Sequence, residues 1–319
     1  MRVSTLIEMA SAKGVKLPKA LIENDPLRVP ADQRGWFRFQ RLYDSARGCV
    51  RSEADMRRIV DEAAADDAAE GSGRLEIQVD PTSYAPFTGG ITPALEIVLD
   101  EARAASTRHN ISVGVIVASS RMRHPLEART LARLATRYAG EGPGEVIGFG
   151  LSNDERRGTT SEFAAAFEIA RRAGLASVPH GGELLGPDHI HEVTQFLSPT
   201  RIGHGVRAVE DPKTLEGLAN AGIALEINPA SNVCLGVYPD VQAVPLTTLY
   251  ESGVGIALGA DDPLLFKSRL TDQYETARHV HGFTDPQLAR LAADSIRASL
   301  ATPSVKAHLL AGVEAWLAN

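Results

Sequence analysis

The sequence predicts an α/β fold built on a barrel-like parallel sheet, with residues 1–319 forming a single domain. Three observations point there. Short runs rich in Val, Ile and Leu recur along the chain, and most are continuous rather than alternating, which suits strands buried on both faces of a parallel sheet. Amphipathic helical stretches separate them. No low-complexity segment or internal linker interrupts the alternation.

Taken in order, the chain opens with helices only, over Val3-Lys13, Trp36-Ala46 and Ser52-Ala69. The strand-like runs follow: Leu75-Val79, Ile111-Ala118, Glu145-Leu151, Leu175-Pro179, Arg201-Gly203, Ile223-Asn228 and Val254-Gly259. Helices are expected between and after them at Thr92-Ser106, Leu126-Ala139, Ser161-Ala173, Pro212-Ala221, Pro245-Ser252 and Leu265-His279. Gly174 and Gly222 stand where helices end before a strand. Ser161 and Asp211, the latter before Pro212, read as helix starts. A closed (β/α)8 barrel needs eight strands. Either this barrel has seven, or its first strand lies upstream of Met1.

Composition narrows the function. The 319 residues are 44% hydrophobic and 23% charged, ordinary for a soluble globular protein that buries a large core. The net charge of −7 with scattered Lys and Arg disfavours nucleic acid as a partner. Cys49 and Cys234 alone make neither a disulfide framework nor a cysteine metal site, and both read as small apolar residues. The N-terminal apolar stretch is short and broken by Glu8, so it is no signal peptide, and no run is long enough to span a membrane. The expected location is the cytoplasm.

The chemistry concentrates at strand ends, which in a barrel face the active-site mouth. His180 ends one apolar run and is followed by Gly181, Gly182 and Glu183. Neutral imidazole ligates zinc and related metals. The two glycines permit a sharp turn that returns Glu183 to the same opening. A lone histidine there would read as a hydrogen-bonded core residue. His204 lies between Gly203 and Gly205, placed to accept a proton or to hold a water-derived hydroxide. Asp261 and Asp262 follow the last run, where adjacent carboxylates need a cation or donors to offset their repulsion. Asp262 before Pro263 also fits a helix N-cap. His189-Ile-His191 and His279-Val-His281 fall in helical segments, where the pair spacing puts the rings about 200° apart, so all four read as non-ligands. Asn228-Pro-Ala-Ser-Asn232 and Asn153-Asp154-Glu155 read as strand-to-loop turns at the pocket.

These segments, with Leu75-Glu-Ile-Gln-Val-Asp80 and Gly150-Leu-Ser-Asn-Asp-Glu155, occur in the same order as in the adenosine deaminase family. The chain resembles that family from about Val3 to its C-terminus. The resemblance implies a (β/α)8 TIM-type barrel of the metal-dependent hydrolase kind holding one zinc at its C-terminal mouth. It implies that His180 and Asp261 are zinc ligands and that Glu183 protonates purine N1. It implies that His204 orients or deprotonates the metal-activated water, and that Asp262 accepts from purine N7. Asn153 stands where many relatives have a glycine whose N–H meets N3. The implied reaction is hydrolytic deamination of adenosine or deoxyadenosine to inosine or deoxyinosine and ammonia. The Ser231-Asn232-Val233 loop leans towards nucleosides, with adenine and aminofutalosine as related substrates. The His-x-Glu with Pro-Cys-x-x-Cys signature of cytidine-type deaminases is absent.

One departure from the family stands upstream. Relatives carry a His-x-His on the first strand, whereas no histidine precedes His109 here. The expectation is that this strand and its ligands lie before Met1. A deaminase-derived, non-catalytic purine-binding protein is the competing reading.

Overall fold

The computed structural model describes residues 1–318. Seven parallel strands form one curled sheet in chain order: β1 Arg74–Val79, β2 Ser112–Ser120, β3 Val146–Ser152, β4 Ala176–Gly181, β5 Arg201–His204, β6 Ala224–Ile227 and β7 Ile256–Leu258. Each expected run is a strand, its ends displaced by no more than two residues. Among the described residues β1 pairs only with β2, and β7 only with β6. The sheet therefore stops short of closure between β7 and β1.

Helices link the strands and cover the outer face. Ile91–His109 places Ala94, Leu95, Val98, Ala102 and Ala105 on one buried stripe. That stripe belongs to the same apolar core as Val113, Val115 and Val117 of β2. Pro212–Ala221 starts on Asp211, whose carboxylate accepts from the Lys213 and Thr214 amides, and ends at Gly222 with φ 67°. Two expectations are corrected. Leu265-His279 is two helices, Pro263–Phe266 and Leu270–His279, because Lys267 at φ 51° is left-handed and cannot continue the first. Ser161 does not start a helix: a 3-10 turn, Thr160–Phe163, precedes Ala164–Arg172. After His279 two further helices follow, Asp285–Ala298 and Pro303–Ala318.

The N-terminal helices Val3–Ala12, Gln33–Arg47 and Glu53–Ala69 precede the sheet, the latter two capped by Asp32 and Ser52. The segment between the first two is pinned over the C-terminal mouth. Leu27 N–H donates to Leu265 O at 3.0 Å, and Val29 N–H to Cys234 O at 2.9 Å. Phe39 stacks on Phe266 at 5.9 Å. Cys49 and Cys234 are free and buried.

A charged network joins distant strands. Arg201 of β5 donates to Glu76 of β1 at 2.7 Å, to Glu226 of β6, and to Ala298 O at 2.8 Å. Arg74 donates to the same Glu76 at 3.0 Å. Among the described residues no helix is long and apolar enough to cross a membrane.

Candidate active site

Strand ends build the site. His180 is the next-to-last residue of β4 and Gly203 is its registered partner on β5, so His204 pairs with Gly181 directly beyond it. The two rings meet edge to face with centroids 4.7 Å apart. A Cβ on residue 203 would stand 2.6 Å from His180 Cδ2, so glycine there is what lets the ring lie across β5. The next residues turn at Gly182, φ 73°, and this brings the Glu183 carboxylate back under the rings. Glu183 Oε2 lies 3.6 Å from His204 Nε2. One donor atom each from His180, Glu183 and His204 can be chosen within 4.8 Å of one another.

The backbone is strained where the chemistry sits. Among the described residues six non-glycine residues have positive φ, and three of them are His204 (70°), Asn153 (80°) and Asp261 (55°). Such conformations persist only where surroundings enforce them, and they cluster at functional sites. The Asn228 amide faces His204 Nδ1 at 3.4 Å and also donates to Glu226 O at 3.1 Å. Ser231 Oγ donates to Asp261 Oδ2 at 2.6 Å and fixes that carboxylate.

Burial sets the charges. It pushes the His180 imidazole down to about 3, with His204 adding to the effect, so the ring is neutral and its lone pair is free for a metal. Burial pushes the Glu183 carboxyl up to about 8, with Glu155 and Asp261 adding repulsion against the opposing pull of His204. The neutral acid carries a transferable proton. Burial works against the charged form of His204, yet Glu183 and Asp261 outweigh it and raise the ring. Burial and the neighbouring Asp261 raise Asp262.

All six sequence-predicted residues line one cavity of about 2600 Å³ that opens at the mouth and runs along the gap between β7 and β1. Trp36, Tyr43 and Tyr84 line it too. Within it His180, Glu183 and His204 form the compact cluster, and Asp261 stands outside that trio. Asp262 makes no side-chain cap bond to the helix Pro263–Phe266, so its carboxylate is not used up as an N-cap. Ser231 and Asn232 are buried away from the cavity. His189 lies in the helix Pro187–Leu197 against Thr160, and His191, in the same helix, against Thr214. Sequence reasoning gave no role to Glu155 or Arg121, which grip the His180–Leu185 turn. The signal for Glu155 was a carboxylate three residues past a buried strand.

His180 with an open lone pair and a buried Glu183 Oε1 that lacks a hydrogen-bond partner fit a divalent cation. Buried carboxylates and imidazoles at the C-terminal mouth of a parallel α/β sheet define a hydrolase of the metal-dependent barrel class. A model of the adenosine deaminase family matches residues 1–316, and the chain belongs to that family of deaminase enzymes. It is 58% identical to a Streptomyces virginiae protein named adenosine/adenine deaminase, over 99% of this chain and 93% of the relative. It is 34% identical to an adenine deaminase of Sinorhizobium fredii over 86% and 84% of the two chains. The crystal structure of adenine deaminase from Arthrobacter aurescens superposes with a TM-score of 0.90 at 26% identity, covering 100% of this chain and 95% of that one.

Proposed function

We propose that the chain deaminates a 6-aminopurine hydrolytically, with adenine the first substrate and adenosine or deoxyadenosine the second. The observation that carries the reading is the buried His180–Glu183–His204 cluster beside Asp261 and Asp262. Naming adenine first rests on the relatives called adenine deaminase at 34% identity. The sequence reading leaned to nucleosides on Ser231-Asn232-Val233. Ser231 and Asn232 are buried outside the cavity lining, and Ser231 instead holds Asp261, so that lean has no pocket contact behind it.

Zinc is the metal we propose, held by His180 and Asp261. When bound, it supplies Lewis-acid activation of a water. The chain's own residues do the rest. His204, with Nδ1 directed at Asn228, uses Nε2 to orient that water and move its proton. Glu183, kept neutral by burial, donates to purine N1 and so draws electron density from C6. Asp262, with its carboxyl also raised, meets N7. Asn153 borders the purine edge from the end of β3. The buried strand ends exclude water competing for these contacts.

Steady-state ammonia release from adenine, adenosine and deoxyadenosine tests the reading, before and after chelation and with zinc restored. We expect turnover that chelation abolishes and zinc restores, with adenine giving the highest kcat/KM. Release from none of the three by the zinc-restored chain overturns it.

A further inference from the structure

The turn His180–Leu185 is gripped from both sides by residues that hydrogen-bond to its backbone and do not line the cavity. Arg121, just past β2, donates from one guanidinium nitrogen to His180 O at 3.0 Å and from the other to Thr160 Oγ1 at 3.1 Å. Thr160 Oγ1 contacts His189 Nε2 at 3.3 Å. The opposite ring nitrogen, Nδ1, lies 3.6 Å from Glu155 Oε2. Glu155 then accepts three consecutive backbone amides: Glu183 at 3.1 Å, Leu184 at 2.9 Å and Leu185 at 2.9 Å. Arg121, Glu155, Thr160 and His189 are all buried.

Three N–H groups converging on one carboxylate form an anion nest, here filled by a side chain from another loop. A bond to the carbonyl of His180 fixes one end of the turn, and bonds to the amides of residues 183–185 fix the other. Displacement of the Glu183 backbone relative to His180 requires those amides to leave Glu155. Buried charges are costly to maintain, and this one is retained where a one-ångström error costs most.

We propose that Glu155 and Arg121 are positioning residues for the deamination site. Through the Thr160–His189 link they clamp the two ends of the His180–Leu185 turn and set the orientation of Glu183 against His180 and His204. The assignment rests on the deaminase reading above and adds a role outside the reacting groups. It predicts a loss in kcat without a matching loss of substrate binding, since neither residue borders the purine.

The test uses the zinc-loaded chain and its Glu155→Gln, Glu155→Asp and Thr160→Val variants. Readouts are kcat and KM, melting temperature, and amide hydrogen exchange of a peptide covering residues 181–186. Gln keeps the shape but turns an N–H group towards three N–H donors. We expect E155Q to lower kcat about 10- to 100-fold with KM moving less than about threefold, and E155D to recover part of the loss. Exchange at residues 183–185 should quicken in E155Q while other segments keep wild-type rates. Wild-type kcat in E155Q, unchanged exchange at 183–185, or a loss shared equally by Asp and Gln with every segment loosened overturns the proposal. If E155Q does not fold, T160V decides: a smaller kcat loss at constant KM with quicker exchange supports the clamp, and wild-type values contradict it. If the wild-type chain releases no ammonia, the deaminase reading has failed, and the exchange readout still decides the clamp.

Discussion

His180 is the residue on which metal binding turns. Its ring is neutral, buried, and stacked edge to face on His204, so its lone pair has no competing proton. His180→Ala removes that donor, and zinc per chain should fall well below one while the melting curve of the metal-free protein changes little. Equal zinc content in wild type and variant, read by atomic absorption after dialysis, would contradict the assignment. Asp261 invites the parallel experiment. It stands outside the compact trio and is held by Ser231, so Asp261→Asn reports whether its carboxylate reaches the metal. Three trio residues were legible in the sequence because glycines flank them and apolar runs precede them. Glu155 and Arg121 were not. Each binds the backbone of a turn 28 or more residues away, and such contacts leave no local pattern beyond the place of Glu155 three residues past β3.

At the scale of elements, the site depends on register between β4 and β5. Gly203 faces His180, and adding one methyl group puts a Cβ 2.6 Å from the ring. Gly203→Ala should therefore cost about 1–3 kcal/mol of stability and displace the His180 ring. Urea denaturation and zinc titration of the variant measure the two effects, and wild-type values in both would show that the ring has room. All seven strands were readable because Val, Ile and Leu cluster in runs buried on both faces. The helix Pro303–Ala318 was not, since its sequence is apolar nearly all round and none of its residues is buried. Without a polar face it offers no helical period to read. The helix break at Lys267 was likewise invisible, because a left-handed φ is set by tertiary context and not by lysine.

For the whole molecule, the Arg74–Glu76–Arg201–Glu226 network ties the first strand to β5 and β6 across a sheet whose ends do not pair. These charges sit inside apolar runs, where sequence patterning registers only the run. Glu76→Gln leaves Arg201 and Arg74 short of a counter-charge in a buried setting and should cost about 3–5 kcal/mol. Burial alone would raise the Glu76 carboxyl, but Arg201 and Arg74 outweigh it and hold it below its ordinary value. The unfolded chain therefore binds the proton first as pH falls. The stabilisation is fully present above the ordinary glutamate range near pH ~4.3 and is lost progressively below it. Denaturation midpoints of wild type and E76Q should differ most near neutrality and converge in acid. A constant difference down to the acid limit would show that Glu76 contributes nothing through its charge.

The central claim is that the buried cluster at the ends of β4 and β5 carries purine deamination, with Glu183 as its proton donor. Ammonia release from adenine by zinc-loaded wild type and zinc-loaded Glu183→Gln tests it most directly. The account predicts equal zinc content in the two and a fall in kcat of about 10²- to 10⁴-fold in the variant. Equal zinc content with wild-type kcat in Glu183→Gln would contradict it.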